Sequence, residues 1–409
     1  MRSGAFPGSV VWQAAYPVIT YNSWKSYGDL QLIDRHWDGL VALADYWARQ
    51  PCSQKNQNLC GGLGDWVDTL WPVENTDAQA TSSFYNTLSV AYMSEIATAL
   101  GRSAEAAKYA GLFDTMSAAF FDSCESCDMW ASCCEPSRHA NKTSQTSFIM
   151  ALALNLAAPP LSKTRGPVPA ALVPAVAANL VANLANHTNH TTSGIVGETF
   201  VFDILVAHGY GDVALSMLLR DDAPSVGYMI SQGATTLWEN WQGQLPQGAS
   251  GSNNHIMFGG GVGTILYKAL AGLANGGIAW REVAMRPLPA AIERLGSANA
   301  SVKTPHGLAA ISWRRAGRSL ELNATVPAGS TAEVVLPASI GNAKVTAVTE
   351  SGAAVWGDGR YSAPPGAAGF VGFAAESAPY AALAFKVGSG RFALVATAGA
   401  GSDGTSGRE

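Results

Sequence analysis

Between about Ser9 and Asn275 apolar residues recur three and four positions apart, in segments broken by Gly, Pro, Asn and Asp. That spacing lines one face of an α-helix. It predicts helices over Trp12–Ser26, Leu30–Gln50, Ala78–Leu100, Ala104–Phe121, Thr143–Leu156, Val168–His187, Gly194–His208, Asp212–Leu219 and Gly263–Asn275. Gly101 reads as the residue that ends one helix and Ser103 as the N-cap of the next. From about Trp280 the pattern changes to short alternating runs, Ala309–Trp313, Ser319–Ala324 and Ala332–Leu336, punctuated by Pro and Gly, which predicts antiparallel strands. Past Val387 the chain thins into Gly, Ser and Ala, and the segment 389–409 is expected to be a disordered tail.

Consecutive antiparallel helices on short turns build either a solenoid or a closed toroid of hairpins, and the absence of a fixed repeat favours the toroid. The expected organisation is therefore a helical domain over 9–278, a small β-sandwich over 279–388 and the tail.

Composition narrows the function. The 409 residues are 48% hydrophobic and only 13% charged, which describes a well-packed globular protein, and no apolar run is long enough to cross a bilayer. A net charge of −5 leaves no basic face for phosphate neutralisation, so neither nucleic acid nor a membrane is the expected partner. Twelve tryptophans supply candidate platforms for the apolar faces of sugars, with core packing as the competing use.

Six cysteines, Cys52, Cys60, Cys124, Cys127, Cys133 and Cys134, fall in two loop-like stretches. Structural zinc has only His139 at a supporting interval, so disulfides in an oxidising compartment are the favoured reading. Five sequons, beginning at Asn141, Asn186, Asn189, Asn299 and Asn323, point the same way. Met1 to Val10 contain no basic stretch followed by an apolar one, so the expected secretion rests on the sequons and cysteines.

The segment Gly233-Ala-Thr-Thr-Leu-Trp-Glu-Asn-Trp241 sets one carboxylate, Glu239, between Trp238 and Trp241. Apolar surroundings raise a carboxylate's pKa, which suits a group that takes a proton from water near neutral pH. A structural glutamate capping a neighbouring loop is an equal reading of this segment alone.

Further segments accompany it in a fixed order. Trp12 stands with Ala14-Ala15-Tyr16-Pro17, followed by Tyr27-Gly28-Asp29, Gly64-Asp65-Trp66, Gly194-Ile195-Val196-Gly197, Gly227-Tyr228-Met229 and Asn254-His255-x-x-Phe258-Gly259. Together, over about Val11 to Pro337, the chain resembles inverting α-L-rhamnosidases, six-hairpin glycoside hydrolases of family 78. The resemblance implies an (α/α)6 six-hairpin toroid followed by an antiparallel β-sandwich. It implies hydrolysis of terminal α-L-rhamnose from a glycan or glycoside, with Glu239 as the general base. It places Trp12, Trp66, Trp238, Trp241 and Asp65 around the sugar and gives His255 a hydroxyl to bond. Neither metal nor cofactor is required, because both proton transfers fall to carboxylates.

Two departures stand out. The family's general acid lies in a segment ahead of the tryptophan helix, and the eleven residues before Trp12 contain no Asp or Glu. The family's aspartate two residues after the tryptophan is Ala14 here. A toroid lacking its first helices is therefore expected, with Asp65, Asp68, Glu74 and Glu198 as the substitute acids to consider. Two other readings stay open: a carbohydrate-binding remnant that keeps Trp66, Trp241 and His255, and an unsaturated glucuronyl hydrolase. The latter needs a cationic clamp for a uronate, and no Arg or Lys stands beside Glu239.

Overall fold

The computed structural model describes residues 9–49, 63–69, 76, 78–125, 144–241, 243, 251–357, 359–362, 370–376 and 381–399. Two units emerge, one of residues 1–24 and 29–262, the other of 25–28 and 263–409. The change of unit thus falls at the start of the last predicted helix, ahead of the expected boundary at 278.

The first unit is a helical, toroid-like domain. Its helices are α1 (Val10–Gln13), α2 (Ala15–Tyr27), α3 (Leu30–Ala48), α4 (Ala78–Ala99), α5 (Ser103–Glu125), α6 (Gln145–Leu156), α7 (Val173–Asn186), α8 (Ile195–Ala207), α9 (Gly211–Leu218), α10 (Val226–Ser231) and α11 (Gly259–Thr264). Helix α3 shows why the periodicity was legible: Asp29 caps its start by accepting from Leu32 N, and Ile33, Trp37, Leu40 and Trp47 form its buried face. Helices α4 and α5 pack as a hairpin. Gly101, at a φ of +70°, makes the left-handed turn between them.

Several expectations about helices change. Ser103 is the first residue of α5 rather than its cap. Helix α7 begins at Val173, with Pro174 in its first turn, where the missing N–H costs no helical bond, and Pro169 in the turn ahead of it. Short α10 lay outside the predicted set, because its six residues are too few to display a period.

After α11 a π-helical turn, Ile265–Ala271, stops at Gly272, whose φ is +83°. The predicted helix to Asn275 is therefore cut short, and its last residues are strand β1 (Leu273–Asn275). The second unit continues with β2 (Glu282–Met285), α12 (Pro289–Leu295), β3 (Ser297–Thr304), β4 (Gly307–Ala316), β5 (Ser319–Val326), β6 (Thr331–Pro337), β7 (Ser339–Ile340), β8 (Ala343–Glu350), β9 (Ala353–Gly357), β10 (Arg360–Tyr361), β11 (Phe370–Glu376), β12 (Ala382–Val387) and β13 (Gly390–Ala398). One sheet runs β1-β2-β6-β12-β11 and the other β10-β9-β8-β13-β5-β4-β3, with β7 added beside β8. All pairings are antiparallel but that of β2 with β6. Alternation buries Ile311 and Trp313 of β4 and Leu320, Leu322 and Ala324 of β5. The Trp313 indole donates to Leu270 O at 3.1 Å.

The expected tail needs correction. Residues 390–398 form β13, an interior strand paired with both β5 and β8. Its Phe392, Leu394, Ala396 and Ala398 are buried in alternation, a period that the flanking glycines and serines obscured. Among the described residues no helix is long and apolar enough to cross a membrane.

Candidate active site

The site forms in the first unit where three stretches of chain meet: the turn 63–69, the loop 233–241 that follows α10, and the segment 251–255 ahead of α11. Backbone pairing pins the last two together. Glu239 N donates to Ser252 O at 2.8 Å, and His255 N donates to Leu237 O at 2.8 Å. The Thr236 hydroxyl adds a short bond to Asn253 O.

Glu239 projects from this paired strip, partly exposed. Its Oε1 accepts from the Trp66 indole N–H at 3.1 Å. Its Oε2 accepts from Ser252 N at 2.8 Å. The Trp12 ring meets the Trp66 ring edge-on, with centroids 6.4 Å apart and planes at 82°. At 36% exposure Trp12 offers part of its ring to solvent. The structure thus brings Trp12, Trp66 and Glu239 into one chain of contacts.

The electrostatics of Glu239 run opposite to the expectation from its flanking indoles. The Ser252 N–H holds its pKa below the ordinary carboxylate value, with the Trp66 N–H and His255 acting the same way against the cost of burial. Donors to the charged form outweigh partial desolvation. The ionised form of Glu239 is thereby favoured, the form in which a carboxylate can accept a proton. Each carboxylate oxygen accepts one of these bonds and retains capacity for a water molecule.

His255 is half-buried, and its Nδ1 is buried with no hydrogen-bond partner among the described residues. Trp238 is half-buried and packs over Gly243, where a Cβ would come within 2.6 Å of its ring. Trp241 is 2% exposed and donates to Ser193 O at 2.9 Å, so its indole serves the core rather than a sugar face.

Asp65 is likewise turned inward, at 1% exposure. It accepts from Gly194 N and Val196 N, each at 2.8 Å, from Gly197 N at 3.4 Å, and by a short bond from the Thr146 hydroxyl. Those donors occupy its oxygens and make it a cap on the N-terminus of α8, not a contact for a sugar hydroxyl. Burial pushes it up to about 6, against the bonds from Thr146, Gly194 and Val196.

The substitute acids fare no better. Asp68 is 4% exposed and Glu198 is 2% exposed, so both carboxyl groups are buried. Burial pushes the Glu198 carboxyl up to about 8. Glu74 and the cysteine side chains lie outside the described residues.

Sequence reasoning missed Ser252, Thr146 and Ser193. The first acts through its backbone N–H, which no side-chain pattern reveals. Thr146 and Ser193 are ordinary hydroxyl residues until the fold brings them to 2.9 Å from each other beside Asp65. Among the described residues no group of three or more His, Cys, Asp or Glu side chains is placed to hold a metal ion.

Comparison with known proteins covers nearly the whole chain. The bacterial alpha-L-rhamnosidase 6 hairpin glycosidase domain matches residues 2–270, and the bacterial alpha-L-rhamnosidase C-terminal domain matches residues 272–351. An alpha-L-rhamnosidase of Streptomyces avermitilis is 28% identical over 350 residues, 81% of this chain and 30% of that protein. One from Formosa agariphila is 26% identical, over 78% of this chain and 33% of its own length. Among solved structures, that of an alpha-L-rhamnosidase from Dictyoglumus thermophilum has a TM-score of 0.78 at 27% identity, covering 96% of this chain and 40% of that one. The Streptomyces avermitilis enzyme complexed with L-rhamnose has a TM-score of 0.73 at 26% identity, covering 93% of this chain and 32% of that one. The chain thus spans about a third of the length of the curated relatives it matches.

Proposed function

Because the chain belongs to the bacterial α-L-rhamnosidase six-hairpin glycosidase family, we propose that it acts on terminal α-L-rhamnosides, hydrolysing them with inversion, and that Glu239 activates the attacking water. The observation that carries the reading is the setting of Glu239. It is a partly exposed carboxylate kept ionised by Ser252 N–H and the Trp66 indole, beside the exposed Trp12 ring. Inversion requires the base to abstract a proton from water on the face of the sugar opposite the leaving oxygen, while that oxygen takes up a proton from a second acid as the glycosidic bond breaks. A low pKa keeps the base ready, and the two donors fix its plane. Trp12 and Trp66 supply indole surface for the apolar face of a deoxy sugar, and the free Nδ1 of His255 supplies a partner for a hydroxyl. The L-rhamnose held by the Streptomyces avermitilis relative supports the choice of sugar.

Burial of Asp65, Asp68 and Glu198 favours a second reading, in which the same surface binds rhamnosides without turning them over. Release of free rhamnose from p-nitrophenyl α-L-rhamnoside by the purified chain, with Glu239→Gln alongside, separates the two. The first reading expects turnover that the substitution lowers by about 10²–10⁴-fold. Absence of turnover in both proteins, with calorimetric binding of rhamnose retained, would leave the second. Passage through a secretory compartment is also proposed, supported by the exposure of the sequon asparagines Asn186, Asn299 and Asn323.

A further inference from the structure

Asp65 and Trp66 are neighbours in sequence, yet one is sealed in the core and the other touches Glu239. Their shared peptide is fastened to α8 from two sides. The Asp65 carboxylate gathers Gly194 N, Val196 N and Gly197 N, while Trp66 O accepts from Ile195 N at 3.0 Å. A third attachment comes from Thr146, near the start of α6, whose hydroxyl bonds the same carboxylate. The fit leaves no slack, since a Cβ on Gly194 would lie 2.2 Å from Trp66 O and 2.4 Å from Asp65 O. Removing the charge of Asp65 would leave the first N–H groups of α8 buried without their acceptor.

We propose that Asp65 is a positioning residue: by clamping the 64–68 turn onto the N-terminus of α8, it holds the Trp66 indole against Glu239 and so sets the state of the base. Its own side chain is buried, so it acts through Trp66. The inference deepens the rhamnosidase reading and rests on it wherever turnover is the readout. The other titratable groups around the clamp are Asp68 on the same turn, Glu198 on α8 and Tyr85 on α4, and His255 faces Glu239.

The consequence is a measurable shift. An indole N–H bonded to the ionised carboxylate lowers its pKa, so displacing that donor raises it. Asp65→Asn puts an amide NH₂ among donors, loosens the turn and should move the acidic limb of the kcat/KM profile upward by about one pH unit, roughly tenfold in rate on that limb. Trp66→Phe, which deletes the donor itself, should move it similarly. The double variant should match Trp66→Phe alone, because Asp65 acts through Trp66. Shifts that add in the double variant, or an Asp65→Asn limb coincident with the parent's, would overturn the proposal.

Should Asp65→Asn fail to fold, Thr146→Val removes one tie from the same clamp and must shift the limb in the same direction by a smaller amount; an unmoved limb overturns the proposal equally. If the parent shows no turnover, carbon-13 NMR of glutamate-labelled protein, with the Glu239 signal identified by its loss in Glu239→Gln, reads the same titration directly. That measurement tests the clamp even where the assignment of activity fails.

Discussion

Glu198 enters the first turn of α8 with a carboxyl whose Oε2 is buried and has no partner among the described residues. A cavity of about 20 Å³, lined by Phe202, Met217, Val226 and Trp241 among others, adjoins it and holds space for one water molecule. Desolvation pushes the group from its ordinary 4.5 up to about 8, against the bond from Thr191 and with some help from the charge of Asp65. The folded protein therefore holds this proton more tightly than the unfolded chain does. Stability from Glu198 is complete below pH 4.5, is lost as pH rises toward 8 and is gone above it. At ~1.36 kcal/mol per pH unit of separation, the loss is about 3 kcal/mol by pH 7 and approaches about 5 kcal/mol above pH 8. Glu198→Gln keeps the shape and stays neutral throughout, so it should stabilise the helical domain near pH 8 while changing little at pH 5. Urea unfolding followed by far-ultraviolet circular dichroism at both pH values measures the difference. An identical gap between the two proteins at pH 5 and pH 8 would refute the argument, because it would show that burial does not discriminate between the two protonation states.

Gly194→Ala should cost several kcal/mol of stability and lower turnover together, since the added methyl meets backbone carbonyls at 2.2 and 2.4 Å that cannot yield without moving Trp66. Thermal unfolding and kcat measured on the same preparation check it, and an unchanged kcat would detach Gly194 from the site. Trp313→Ala should destabilise the β unit by about 3–5 kcal/mol through the cavity and the lost bond to Leu270 O. Scanning calorimetry should register that loss without any change in the pH profile of the helical unit's activity.

The sequence determined the elements whose signals are local. Spacing of three and four in α3 places Ile33, Trp37 and Leu40 on one buried face, and alternation in β4 and β5 does the same for the sheet. The ordered segments from Trp12 to His255 carried the family, as matched over residues 2–270. Helix α4 shows where local signals stop. Thr81, Ser82, Ser83, Asn86, Thr87 and Ser89 are all buried there, so polarity alone would have put them at the surface. The bonds of Thr87 and Ser89 to carbonyls four residues back satisfy their hydroxyls inside the helix.

Only the tertiary structure decided what each acid does. Glu239 and Asp65 look alike in sequence, each beside a tryptophan. One is kept ionised by donors from Ser252 and Trp66, the other is sealed by backbone N–H groups more than 120 residues away. Likewise Lys25 joins the β unit through the Asn275 amide, 250 residues away. Pattern along the chain reports which face an element buries, because that depends on residues three or four apart. The partner that charges, neutralises or orients a buried carboxylate arrives from distant sequence, and its identity exists only once the backbone has folded.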